Sequence, residues 1–540
     1  MFKNKIKYLF IALALAMGPF ISEAQNLTYK ANWQNLDLVS DTTFGISTEK
    51  AYQELLKNKK AVNVVVAVID GGVDISHEDL KSVIYTNPKE KLDGKDDDKN
   101  GYIDDINGWD FLGGPKGDVE FETLELVRQI RALNPKYENK STDSLSKTNE
   151  AEYLKYLNMK NELNQKLTEA KNNLNGIYGF KTVLENMVKK MGKENPALAD
   201  FEAFEPTERG EAQVKKVMLN VMKEEPDFAT FKKEQIDAAF DHFKEQVDYN
   251  YNIDYNPRDI VGDDENDPRQ KIYGNNDVTG PDALHGTHVA GIIGANRDNN
   301  LGIKGVANHA IIMSVRAVPN GDERDKDVAN AIRYAVDNGA KVINMSFGKG
   351  YSPHKDVVDD AVKYAVSKDV LLVHAAGNDD MNLDLESSKN YPNRIYADQT
   401  GTAAPSWIEV GASGPTDDAS LKASFSNYGK TSVDVFAPGE RIYSTTPNST
   451  YTEEDGTSMA SPVVAGLATL IRSYFPKLTA PEVKNAIMQS VVKVNHPVEL
   501  MIGKDKKTVP FSDLCISGGV VNTYNAIKLA ESMAKTSAKK

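Results

Sequence analysis

The sequence predicts an α/β fold, a three-layer sandwich about a central, mainly parallel sheet, with an α-helical insertion set into it. Three observations predict it. Residues 62–69 and 370–376 are β-rich, largely apolar runs, the mark of strands covered on both faces. Val463, Val464, Leu467, Leu470 and Ile471 recur at helical spacing, which makes the segment after residue 456 a core helix. Near Gly117 the composition shifts to charged, helix-forming residues, and Leu163, Leu167, Ala170, Leu174 and Ile177 define one amphipathic face. With 540 residues, 40% of them hydrophobic, the chain is long enough for one large domain and a smaller one.

Taken in order, the chain opens with Lys3, Lys5 and Lys7, an apolar stretch over 9–17, and Ser22-Glu23-Ala24 before Gln25. This is the layout of a signal peptide over residues 1–24. Its apolar stretch falls short of the roughly 20 residues that a membrane span needs. The expectation is export to a periplasm or the exterior, with no membrane span after cleavage. Cys515 is the sole cysteine, so no intramolecular disulfide can form, and stability must come from core size or bound ions.

The run 62–69 ends at Asp70-Gly71-Gly72, which puts Asp70 at the carboxyl end of a strand, where open α/β sheets bind ligands. Acidic residues follow. Counted from Asp96 as position 1, oxygen ligands fall at Asp98, Asn100, Tyr102 and Asp104, with Gly101 at the sharp turn. That is a calcium-loop spacing, but Asn107 stands where a bidentate glutamate closes the full motif, and a solvated acidic turn reads equally from the same residues. The second acidic run, 263–267, lacks ordered spacing and reads as a loop.

Asp70 and His285 lie 215 positions apart, and the helical face above falls between them. Further helices are expected over 212–223 and 228–248, with breaks at Pro196, Pro206 and Pro226. The expected division is 25–116 for the extension and first part of the main domain, 117–254 for the insertion, and 255–540 for the remainder. The insertion reads as a packed ornament, a docking site for a protein partner, a lid or an internal inhibitor.

After it, small residues and the apolar Val289, Ile292 and Ile293 describe a helix packed tightly on the sheet, with His285 at its amino end. His288, a turn further in, fits a structural hydrogen bond. The run from Val370 ends in Ala375-Ala376-Gly377-Asn378, where the asparagine is either a turn residue or a side-chain N–H donor. Gly456-Thr457-Ser458 opens the core helix. It is either an ordinary capping sequence or a nucleophile beside a residue with no side chain, and Pro462 falls early in the helix, where its missing amide is expected to cost little. A serine needs a base, and the base an acid to hold its tautomer; His285 and Asp70 supply both types. Residues 478–487 read as a capped helix with Pro481 and Glu482 in its first turn, and the tail continues the same domain.

In their order Asp70, His285 and Ser458, with His-Gly-Thr-His-Val-Ala-Gly, Ala-Ala-Gly-Asn and Gly-Thr-Ser-Met-Ala-Ser-Pro around them, these blocks resemble the subtilisin-like serine peptidases (subtilases, peptidase S8). The likeness is to an exported bacterial member and runs from Trp33 to Ala530, interrupted by the insertion. The resemblance implies a subtilisin-like peptidase domain in which Asp70 orients the imidazole, His285 is base then acid, Ser458 attacks the carbonyl and Asn378 stabilises the oxyanion. It also implies that Ser346, Phe347 and Gly348 form a substrate-binding edge and that Ala375, Ala376 and Gly377 line a side-chain pocket of apolar preference. No cofactor is needed for that chemistry, and structural calcium is the one ion expected. Many such enzymes carry an amino-terminal propeptide domain. About 35 residues separate Gln25 from the first strand, too few for one, and 33–56 are expected to pack on the main domain instead.

The formal charge of −14 argues against a nucleic-acid partner and points to protein or peptide substrates. The expected activity is therefore a serine endopeptidase. Its rivals are a partner-regulated processing protease of narrow specificity and an inactive, peptide-binding relative.

Overall fold

Strand β1 (Val64–Asp70) shows how the sandwich is built. Its alternate side chains enter two separate apolar cores: Val66 and Val68 face one, Ala67 and Ile69 the other. A strand apolar at every position before Asp70 therefore has helices on both sides. The computed structural model of the chain describes residues 29–140, 147–224, 226–398, 400–502 and 505–537, so the expected signal peptide lies outside the described residues.

Eight further strands join β1 in one sheet: β2 (Gly108–Asp110), β3 (Ala310–Arg316), β4 (Val342–Met345), β5 (Leu371–Ala375), β6 (Trp407–Ser413), β7 (Val435–Pro438), β8 (Val492–Lys493) and β9 (Gly519–Val520). Their spatial order is β8-β9-β7-β6-β5-β4-β1-β3-β2. Every pairing is parallel except that of β8 with β9. The first core is filled from helices α1 (Leu284–Gly294), α4 (Thr457–Tyr474), α5 (Ala480–Gln489) and α6 (Thr523–Ser537). The second is filled from α2 (Asp325–Asp337) and α3 (Lys355–Ser367). Helix α5 starts on the expected cap: Glu482 N–H donates to Thr479 Oγ1 at 3.4 Å, and Thr479 N–H to Glu482 Oε2 at 2.8 Å.

The segment before β1 is part of this unit. Trp33 is 2% exposed within the first core, its indole N–H donates to the Glu440 carbonyl, and Thr523 N–H donates to the Ile46 carbonyl. At the far end of β1, the buried Arg316 guanidinium donates to the Gly71 carbonyl and to Asp110 Oδ2, both at 2.8 Å, tying together the carboxyl ends of three strands.

Residues Leu126–Tyr255 form a second compact unit. Its longest element is Lys147–Met191, 45 residues, on which Leu163, Ala170 and Ile177 are buried. Helices Glu125–Tyr137, Leu198–Ala203 and Arg209–Glu224 and a helical run from Phe228 to Asn250 accompany it, and Pro196, Pro206 and Pro226 fall between helices. Phe180, Met187, Phe201, Met218 and Phe231 belong to a core of its own. Residues 117–125 belong to the larger unit, where Gly117–Asp118 pairs with Gly113–Gly114 and Glu122 N–H donates to the Asn320 carbonyl.

Candidate active site

Three elements of the larger unit bring the predicted residues to one edge of the sheet. Asp70 is the last residue of β1, His285 the second residue of α1, and Ser458 the second residue of α4. Helix α1 closes onto β1 because Gly286 has no side chain: a Cβ there would lie 2.1 Å from the Gly72 carbonyl oxygen and 3.1 Å from Asp70 Cβ. The result is a 2.7 Å hydrogen bond between His285 Nδ1 and Asp70 Oδ1, which also accepts from Gly71 N–H.

Asp70 is buried and the imidazole a quarter exposed. Burial pulls the His285 pKa down, but the Asp70 carboxylate outweighs it, by charge and hydrogen bond, and the group stands above its ordinary 6.5. His288 contrasts with it. Fully buried, with the Thr452 carbonyl accepting from Nε2, it is pushed down to about 3 by desolvation that outweighs its backbone hydrogen bonds, as befits a structural histidine.

Ser458 Oγ donates to the Ser346 carbonyl at 3.1 Å, and no hydrogen bond joins it to His285 among the described residues. Around it, donors converge. Asn378 Oδ1 accepts from both the N–H and the hydroxyl of Thr457, at 2.8 and 2.9 Å, which fixes the amide and leaves Nδ2 pointing away from them. A Cβ placed on Gly456 would lie 3.4 Å from Ser458 N and 3.5 Å from Asn378 Nδ2. The space left by the absent side chain is thus bordered by both nitrogens, at the positive end of an 18-residue helix.

Pro462 is where the structure departs from the expectation of little cost. It is the sixth residue of α4, so its missing N–H removes the bond to the carbonyl of Ser458 itself. The loss is made good from outside the helix. Ser346 Oγ donates to the Ser458 carbonyl at 2.9 Å, Asn344 Nδ2 donates to Ser346 Oγ, and Ser461 Oγ donates to Asn344 Oδ1. From sequence, Asn344 and Ser346 belong to the substrate-binding strand and Ser461 to the block around Ser458, but none of the three is expected to answer Pro462. A proline four residues after a predicted nucleophile was the available signal.

Beyond Ser346, Phe347 is half-buried and Gly348 exposed, and neither backbone is hydrogen-bonded within the described residues. Facing them, Ala375 and Ala376 are buried, and Asn390 Nδ2 donates to both their carbonyls at 3.0 and 3.1 Å. Asn390 fills the gap between the two walls: a Cβ on Gly348 would meet its Oδ1 at 2.2 Å. No periodicity or motif in the sequence singled out Asn390.

The acidic loop sorts its side chains differently from the calcium-loop count. Both Asp96 oxygens accept from backbone N–H groups of Asn100 and Gly101, and both Asp104 oxygens from those of Asp93 and Gly94. Asn100 Oδ1 accepts from Tyr102 N–H. These are bonds of a self-capped turn. Of the expected ligands, Asp98 alone joins a carboxylate cluster, with Glu90 and Asp105.

The sequence profile of the subtilase family matches residues 61–505. Among curated proteins, the chain is 42% identical over 244 residues to the thermophilic serine proteinase of Bacillus sp. (strain AK1), covering 45% of this chain and 52% of that protein. It is 41% identical over 212 residues to thermitase of Thermoactinomyces vulgaris, covering 39% of this chain and 68% of that one. The chain therefore spans about half the length of the first relative and two thirds of the second. A solved protease of Pseudoalteromonas arctica PAMC 21717 is 28% identical over 47% of this chain and 78% of that chain, with a TM-score of 0.38. Because the profile takes in most of the chain, including Asp70, His285, Asn378 and Ser458, this chain belongs to the subtilase family of serine peptidases.

Proposed function

We propose that the chain is an exported serine endopeptidase in which Asp70, His285 and Ser458 form the catalytic triad and Asn378 the side-chain half of the oxyanion hole. The observation that carries this reading is the arrangement at Gly456: Ser458 N and the locked Asn378 Nδ2 border one open space, beside a serine whose neighbouring helix presents an imidazole held by a buried carboxylate. In the reaction, an extended substrate pairs with the unbonded edge at Phe347 and Gly348, so that affinity comes mainly from main chain. The Ser458 hydroxyl leaves the Ser346 carbonyl, gives its proton to His285 Nε2 and attacks the scissile carbonyl. Asp70 stabilises the imidazolium through Nδ1, and the oxyanion takes the two donors near Gly456. His285 then protonates the leaving amine, and water repeats the cycle on the acyl-enzyme. The chemistry calls on no cofactor.

Export rests on the predicted signal peptide; among the described residues no helix is long and apolar enough to cross a membrane. The test is labelling of the chain from Gln25 with a serine-directed fluorophosphonate, located by mass spectrometry. Label on Ser458, absent in Ser458→Ala, is the expected result. An unlabelled, folded protein would favour the peptide-binding relative without turnover.

A further inference from the structure

Strand β1 ends at Asp70 while both of its neighbours run on. In the sheet, Ile69 lies beside Met345 of β4 and Asp70 beside Arg316 of β3. Past that level the first chain turns away through Gly71 and Gly72, and Val73 N–H donates to the Val278 carbonyl. Residues 346–349 continue from β4 and 317–323 from β3, so a slot one strand wide opens between them, about 9–10 Å across at two inter-strand spacings. The backbone of Lys349 is paired on the far side, giving to and taking from Tyr391 at 2.9 Å. Because bonding directions alternate along an extended chain, the backbone of Gly348 is turned toward the slot.

Lys349 spans this slot. Its side chain is 1% exposed, and its Nζ donates to the Glu323 carbonyl at 2.7 Å and pairs with Asp325 Oδ1 at 2.9 Å and Glu125 Oε2 at 3.4 Å. Those acceptors are themselves held. Asp325 opens α2 and accepts from Ser352 Oγ at 2.9 Å and from His354 N–H at 2.8 Å. Glu125 N–H donates to Asp322 Oδ2 at 2.8 Å, and Glu125 is the last residue of the larger unit before the chain enters the helical one. Desolvation holds the fully buried Glu323 carboxyl above its usual range, against the charge of Lys349. Lysine is almost never buried unless paired, and an apolar side chain of similar volume fills such a space at no greater cost in stability. What the ammonium adds is position, because its acceptors from separate segments meet at one atom.

We infer that Lys349 is a positioning residue: it ties the two walls of the substrate slot together beyond Gly348 and, through Glu125, ties them to the stem of the helical unit. This role rests on the peptidase reading, which puts an extended peptide in the slot. A residue reacting with Ser458 lies beside Ser346, so the residue two places before it in the peptide lies beside Gly348. An untied slot has to be ordered by each peptide that enters it, and that ordering is subtracted from affinity while the chemistry at Ser458 is left alone.

The test compares the chain from Gln25 with Lys349→Met and Glu125→Gln, each checked for folding by circular dichroism. One substrate is succinyl-Ala-Ala-Ala-Phe p-nitroanilide, which reaches Gly348; the other is N-acetyl-phenylalanine p-nitrophenyl ester, which does not. Each variant should raise KM for the peptide by about five- to tenfold, with kcat and the KM of the ester little changed. Lys349→Arg, which keeps the charge and the donors, should lose less than Lys349→Met. Binding of fluorescein-labelled Ala-Ala-Ala-Phe to the Ser458→Ala chain, read by polarisation, needs no turnover and should weaken by the same factor when Lys349→Met or Glu125→Gln is added. Weakened binding in a chain that cuts neither substrate would sink the peptidase reading and leave the tie standing. An equal rise of KM for both substrates, a fall in kcat at constant KM, or peptide affinity that is absent or unmoved in both variants would each overturn the role of Lys349. An unmoved Glu125→Gln beside a weakened Lys349→Met would overturn the link to the stem.

Discussion

Ser346 serves the serine helix twice, accepting from Ser458 Oγ with its carbonyl and donating from its hydroxyl to the Ser458 carbonyl. The hydroxyl is buried, so Ser346→Ala would leave that carbonyl without a donor, at a cost of about 1–3 kcal/mol in urea unfolding. Asn378→Ala should lower kcat by about a hundred- to a thousandfold with little change in KM, since its amide acts on charge that appears only in the transition state. His285 and His288 predict opposite acid behaviour. The raised His285 pKa means that its pair with Asp70 stabilises the fold below pH 6.5 and ceases to as pH climbs through the raised value. Catalysis needs the neutral ring, so kcat/KM should rise with pH with a midpoint above 6.5. His288, depressed to about 3, favours the native state fully above pH 6.5 and progressively less as pH falls toward 3, a loss on the order of 5 kcal/mol. Chemical unfolding across that window should show a slope that His288→Gln makes shallower.

At the scale of the element, the proline in α4 is compensated from β4, and this can be measured. Pro462→Ala restores an N–H able to reach the Ser458 carbonyl, so it should recover part of the stability lost in Ser346→Ala. A double-mutant cycle with coupling below about 0.5 kcal/mol would mean that the two groups do not share that carbonyl. The helix itself was legible from its apolar spacing, as were β1 and the cap at Thr479, because each is set by neighbours along the chain. The Ser346 to Ser461 relay was not legible. It joins residues 112 to 117 positions apart through single hydrogen bonds, which leave no periodicity behind. Asn390 escaped notice for the same reason, and the carboxylate cluster was half seen: spacing found Asp98, but Glu90 enters it from outside the counted loop.

For the whole molecule, the question is what the helical unit adds. Glu122 and Asn256, near the two ends of the larger unit's chain break, both receive hydrogen bonds from Arg324, so a short linker can replace Leu126–Tyr255. Because that unit has its own apolar core, the excised chain should fold and label at Ser458 with fluorophosphonate as the full chain does. Activity on denatured casein that survives excision, with activity on a native target lost, would mark the helical unit as a docking surface for a protein partner. By itself the sequence determined the α/β class, the strands and helices that carry Asp70, His285, Asn378 and Ser458, and the helical character of the insertion, since hydrophobic period and end-of-element chemistry are local. Only the tertiary structure decided which acids cluster, which hydroxyl answers Pro462, and where the edge at Phe347 and Gly348 lies relative to Asn390. Those are meetings of side chains from distant segments, fixed by the packing of two cores on one sheet rather than by any order along the chain.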